Sequence, residues 1–440
     1  MRHLCLLAIA GSLALAKLGL PSPASADEIE RPPILYSEST ADNCVSKLAA
    51  RLASGDSALE YDERTGYLAA LLKALDVPVE SQMLVFSKTS LQRHRISPRS
   101  PRAIYFNDEV YVGYCRSGDV LEISAVDPQL GAVFYTLDQK DRDGARLLRQ
   151  TDNCLVCHSS SRTDGVPGHL ARSLFVDSSG QPILSAGSYS VDHTTPFEQR
   201  WGGWYVTGTH GAQKHLGNLV VGGDKVVAPV DNTQGQNVTR LDDRFSSESY
   251  LAAQSDIVAL MVLEHQALVH NRITKANYAT RQALLYEQEM KRALGEPQEY
   301  RLESTTRRIQ SAGDDLVEAL LLVDEAHLTA PIRGTSGYAE TFTSRGPRDA
   351  QGRSLRDFDL NRRLFKYPCS YLIYSPAFDA LPGEMRDYVW SRLWSVLTQP
   401  AADQKFAHLS PDDRRAIIEI IAETKRGLPD FWTKNQRGSQ

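Results

Sequence analysis

The chain has no second closely spaced cysteine pair, no Gly-x-x-x-x-Gly-Lys-Ser/Thr loop, no internal repeat and no low-complexity tract. Without a phosphate-binding loop, Asp324-Glu325-Ala326-His327 matches a helicase acidic motif by letters only. Methionine (5) and cysteine (6) are scarce in 440 residues, so a site that needs either has few places to be. Lys plus Arg (49) are outnumbered by Asp plus Glu (54), and this mildly acidic balance argues against a nucleic-acid surface. The early apolar run, Leu4 to Ala16, is followed by Lys17 and Pro21 and is short for a membrane span. Apolar and aromatic content is ordinary for a globular protein, which excludes wholesale disorder. The length predicts two or three domains, or one large core with elaborations.

The early run reads instead as an export signal over residues 1–26. Met1-Arg2-His3 is a basic start, and Ala24-Ser25-Ala26 offers a small-x-small cleavage site ahead of Asp27. An uncleaved N-terminal anchor is the alternative. A periplasmic or secreted bacterial protein is expected, with no transmembrane span after cleavage.

Export gives meaning to Thr151-Asp152-Asn153-Cys154-Leu155-Val156-Cys157-His158. Cys-x-x-Cys-His is the attachment signature of a c-type haem. Two thiols at that spacing can add to the two vinyl groups of one porphyrin, and the next histidine can bind the iron from the proximal side. A zinc site would want two further ligands at finger or ribbon spacing. A thioredoxin-like pair would not need His158, and no βαβ pattern frames it.

On Cys154, Cys157 and His158 the chain resembles the cytochrome c superfamily. Along its length it is similar to large single-haem bacterial proteins described as containing a cytochrome c domain. The resemblance implies one covalent haem c, with Cys154 and Cys157 as thioether carriers and His158 as proximal ligand. It also makes a redox partner protein in the periplasm an expected companion. Class I members place a distal methionine tens of residues downstream, whereas the first methionine after His158 here is Met261. Closer candidates are His169, His193, His210 and His215. His210 is preferred, because small residues flank it and the aromatic run Trp201-Gly202-Gly203-Trp204-Tyr205 precedes it. His193 and then Met261 follow, and a vacant or water-bound position remains open. Met261 and His265 share a helix face with Glu264 adjacent, which more often marks core than ligand.

The expected fold class is α+β, unlike a minimal all-α cytochrome c. A helical segment is expected over residues 27–79, with Asp42 capping its first helix. Residues 80–225 read as a β-rich region carrying the haem motif. Its runs Ala103–Phe106, Val110–Tyr114, Val120–Val126 and Ala132–Leu137 form a four-strand meander. A hairpin is expected to join Arg172–Val176 to Pro182–Ser185 around Asp177–Gly180. Residues 250–440 read as mainly helical. Asp256 to Leu294 would make a helix of about 58 Å, so a break near Asn277 is expected. Asp314–Leu328 is another helix, residues 330–357 an arginine-rich loop, and Ser410-Pro411-Asp412-Asp413 a helix start. Cys44, Cys115 and Cys369 suggest one disulfide and one buried thiol, with the pairing open.

Two function classes follow. One is a mono-haem electron carrier; the other is a haem c-dependent oxidoreductase or peroxidase whose additional residues build a substrate pocket. Size favours the enzyme. The lack of an identifiable acid–base pair beside the motif favours the carrier.

Overall fold

The computed structural model describes residues 28–140, 144–223, 226, 230–297, 299–399 and 403–434; the expected leader at 1–26 lies outside the described residues. Among the described residues, nine strands form two antiparallel sheets. The larger has the order β6-β5-β4-β3-β2-β1-β9. Its members are β1 (Met83–Val85), β2 (Arg102–Phe106), β3 (Val110–Cys115), β4 (Val120–Asp127), β5 (Gly131–Asp138), β6 (Leu147–Gln150) and β9 (Trp204–Tyr205). The smaller pairs β7 (Ala171–Leu174) with β8 (Ser188–Val191). The helices are α1 (Cys44–Ser54), α2 (Leu68–Ala74), the single turn α3 (Leu155–His158), α4 (Ile257–Leu294), α5 (Glu303–Leu320), α6 (Tyr338–Ser344), α7 (Pro376–Asp379), α8 (Gly383–Thr398), α9 (Pro411–Thr424) and α10 (Asp430–Lys434). The fold class is α+β, a seven-stranded antiparallel sheet with a mainly helical C-terminal part.

The strands of the large sheet are buried on both faces because helices cover both. Successive side chains in a strand point to opposite faces. Ala103, Tyr105, Val112, Ile123, Val133 and Tyr135 pack with Val45 and Leu48 of α1 and Leu68 and Leu71 of α2. From the opposite face, Phe106, Tyr111, Val126 and Trp204 join the core around α4, which continues into α5 and α8.

The helix α4 runs unbroken through Asn277. The helix's length suggests a break, but the residues at that point have partners far away in sequence. Asn277 Nδ2 donates to Pro128 O at 3.3 Å and the Tyr278 hydroxyl to Leu130 O at 2.9 Å, which ties the helix to the β4–β5 turn. The next helix occupies Glu303–Leu320 instead of Asp314–Leu328. Its polar first half is held by Thr305 and Ile309 buried against the end of α4, a contact with no signature in the local sequence.

Other local expectations shift for identifiable reasons. The cap of α1 is Asn43, whose Oδ1 accepts from the amides of Val45 and Ser46, while Asp42 pairs with Lys47 on the surface. The Asp177–Gly180 turn closes as expected, but β7 pairs with Ser188–Val191, reached after Gly187 at φ 82°. Residues 330–357 contain α6, and Arg345, Arg348, Arg353 and Arg356 each pair with a carboxylate. Cys44, Cys115 and Cys369 are free thiols at separate places in the fold, so the expected disulfide is not formed. Among the described residues, no helix is long and apolar enough to cross a membrane. The start at Ser410 is a full capping box with Pro411 in the first turn.

Asn43 also receives the Tyr135 hydroxyl at 3.2 Å, so it joins α1 to the sheet. Replacing it with alanine removes a cap and a buried bond, and is expected to lower the unfolding free energy by about 2 kcal/mol. Urea unfolding measures this, and an unchanged midpoint contradicts it.

Candidate functional site

The cysteine pair sits where β6 leaves the large sheet. The turn α3 is closed by His158 N donating to Cys154 O at 3.0 Å and Ser159 N to Leu155 O at 2.8 Å. Leu155 is buried against the sheet core, whereas Val156 is 78% exposed, so the turn has one fixed orientation. Residues three and four apart share a helix face. Cys154, Cys157 and His158 accordingly line one cavity of about 370 Å³.

The cavity floor is the sheet face that α4 leaves uncovered. The register places Ile104, Gly113, Glu122 and Thr136 in one row, and Tyr111, Ser124 and Phe134 in the next. Gly113 leaves room on this face for the Arg102 guanidinium, which would have to shift for a Cβ placed 2.3 Å from its nitrogen. Arg102 therefore lies across the strand and reaches Glu122 at 2.7 Å. Leu263 and Ala267 of α4, together with Trp204 and Leu170, supply apolar wall, and Lys88, Arg93 and Arg102 supply positive charge.

His158 is held by the loop that follows it. Gly168 N donates to His158 O at 2.8 Å, and Gly168 O lies 2.9 Å from His158 Nδ1. With Nδ1 donating to a carbonyl, the neutral tautomer leaves the Nε2 lone pair for a metal. Burial holds the His158 pKa below its ordinary value and so favours that neutral form. The loop is in turn clamped to α4. Asn271 accepts from His169 N at 2.9 Å and donates to His169 O at 2.7 Å, and Arg272 pairs with Asp164 at 3.0 Å. Gly168 permits this approach, since a Cβ there would lie 2.2 Å from Asn271 Oδ1. Burial also pushes the Cys154 thiol up to about 11.

Only His169 joins His158 among the histidines that line the cavity. Its Nε2 is 2.6 Å from Ser124 Oγ, its ring centroid is 4.1 Å from that of Tyr111, and its buried Nδ1 has no protein partner. Behind it, the Tyr111 hydroxyl meets His270 Nδ1 at 3.1 Å and Gln266 Nε2 at 2.8 Å.

The three distal candidates from the sequence do not line this cavity. His210 turns away, its Nε2 accepting from Asn237 N at 2.9 Å and its ring packed on Phe197 and His215. His193 bonds His265 across 3.1 Å between their Nδ1 atoms. Met261 is buried in the helical core. On α4 the residues facing the cavity are Leu263 and Ala267, and two positions turn a helix by about 200°, which puts Met261 on the far side. Of the aromatic run, Trp204 reaches the cavity. His169 was legible as the nearest histidine after the motif. The floor residues were legible only as a period-two pattern, and their rows required the strand register.

Among the described residues, no group of three or more His, Cys, Asp or Glu side chains is arranged to hold a metal ion. The residues present fit a covalent porphyrin instead: two unbridged thiols and a carbonyl-oriented histidine beside an apolar cleft with cationic groups. No family model, curated protein or solved structure matches the chain.

Burial holds His215 and His270 at about 3. Unfolded, each titrates near 6.5, so between about pH 6.5 and 3 the unfolded chain binds protons that the folded chain does not. Stability is therefore present above that window and falls with acidification, by about 1.4 kcal/mol per pH unit for each histidine. Urea midpoints measured from about pH 7 down to about pH 5 are expected to fall, and midpoints that rise contradict this.

Proposed function

We propose that the chain is an exported mono-haem c-type cytochrome that transfers electrons with a periplasmic redox partner protein. Cys154 and Cys157 carry the thioethers, and His158 is the proximal ligand of the iron. The observation that supports this most is the bond between His158 Nδ1 and Gly168 O, made in a cavity that both cysteines also line. A bound haem c supplies a one-electron couple. The Gly168 carbonyl fixes the His158 tautomer and ring, and the Phe134 ring, 4.9 Å from it between centroids, limits its rotation. Trp204, Leu263 and Ala267 exclude water, and Lys88 and Arg93 suit the porphyrin carboxylates.

The oxidoreductase or peroxidase reading gains one specific observation. His169 gives the cavity a neutral imidazole with an unpartnered Nδ1, the acid–base group that the sequence did not identify.

Denatured protein is expected to retain its haem on a gel and to give the pyridine haemochrome of a doubly linked haem c. Cys154→Ser with Cys157→Ser is expected to lose it. Release of wild-type haem into acidified organic solvent contradicts the proposal.

Spin state separates the two readings. Low-spin iron in both redox states supports the carrier. High-spin iron, with peroxide turnover falling about 100-fold or more in His169→Ala, supports the enzyme.

A further inference from the structure

One layer behind the cavity wall lies a buried carboxylate that the proposed chemistry does not use. Glu264 is 1% exposed, and its Oε2 accepts from Arg200 Nη1 at 2.9 Å. Its Oε1 and Trp201 Nε1 form no full hydrogen bond, although Trp201 still draws the carboxyl towards its ionised form. Both residues border a narrow void lined also by Arg172, Leu260, Trp204 and Leu263. Trp204 and Leu263 are also walls of the cavity beside His158, so a single side-chain layer separates Glu264 from that cavity.

We infer that Glu264 is a redox-linked proton site: it takes up one proton when the haem held by Cys154, Cys157 and His158 gains an electron, and releases it on oxidation. The inference rests on the haem reading. The electron comes from the redox partner protein and the proton from water, so reduction leaves the buried region with no added net charge. An added negative charge across a dry wall raises the affinity of a carboxylate for a proton. Oε1, the oxygen that Arg200 does not hold, is the atom to carry it.

The surroundings leave this group poised. Burial pushes Glu264 up to about 7 against the pull of Arg200 and Trp201, and Asp192 adds to the rise. Burial keeps His193 and His265 neutral near pH 7. Arg172 borders the same void. Glu325 also stands at about 7 and feels Arg200, so it is the competing titrating group.

The test is the reduction potential of the haem-loaded, full-length protein as a function of pH. The wild-type potential is expected to fall with rising pH through neutrality, by close to one proton per electron. Glu264→Gln is expected to lose that slope while keeping the haem c spectrum, and Glu325→Gln to keep it. Infrared difference spectra of the wild type are expected to gain a protonated-carboxyl stretch on reduction, a readout that does not depend on the variant folding. A flat wild-type potential, a full slope in Glu264→Gln, equal loss in Glu325→Gln, or no carboxyl signal overturns the inference. Protein without covalent haem overturns instead the reading beneath it.

Discussion

The position of α4 against one face of the seven-stranded sheet is the constraint on which the other features depend. The opposite sheet face is closed by α1 and α2, so the strands are sandwiched and their register cannot slip without turning apolar rows outward. Along its own face α4 covers only part of the sheet. The uncovered patch, floored by Gly113, Ser124 and Phe134, becomes the cavity once Leu263 and Ala267 form its wall. Asn271, about two turns beyond Leu263, then fixes the loop that orients His158. One helix therefore supplies wall, clamp and, through Glu264, the charged group behind the wall.

Electrostatic organisation follows from burial. Histidines 158, 169, 193, 215, 265 and 270 all have pKa values held below the ordinary value by desolvation, which keeps them available as acceptors or ligands instead of cations. The cations that remain inside, arginines and Lys291, have specific partners. Arg200 holds Glu264 and the carbonyls of His193 and Thr195, and Arg356 lies over the rings of Phe342 and Tyr371 while pairing with Asp108. Among the arginines of residues 330–357, Arg356 is the buried one, while Arg345, Arg348 and Arg353 pair with carboxylates nearer the surface.

The sequence alone determined what depends on neighbours within a few residues. The meander from Arg102 to Asp138, the turn chemistry between its strands, the start at Ser410 and the helical period that begins at Ile257 follow from local period and capping. The placement of Cys154, Cys157 and His158 on one turn is also a matter of spacing. Tertiary structure decided the rest. The distal candidates lie away from the cavity because His210 and His193 found partners in Asn237 and His265, and because the inward stripe of α4 is set by contact with the sheet. Asn277 stays helical and α5 begins early for a common reason. Each depends on a group brought near by the fold from far along the chain, and no local pattern records such a partner.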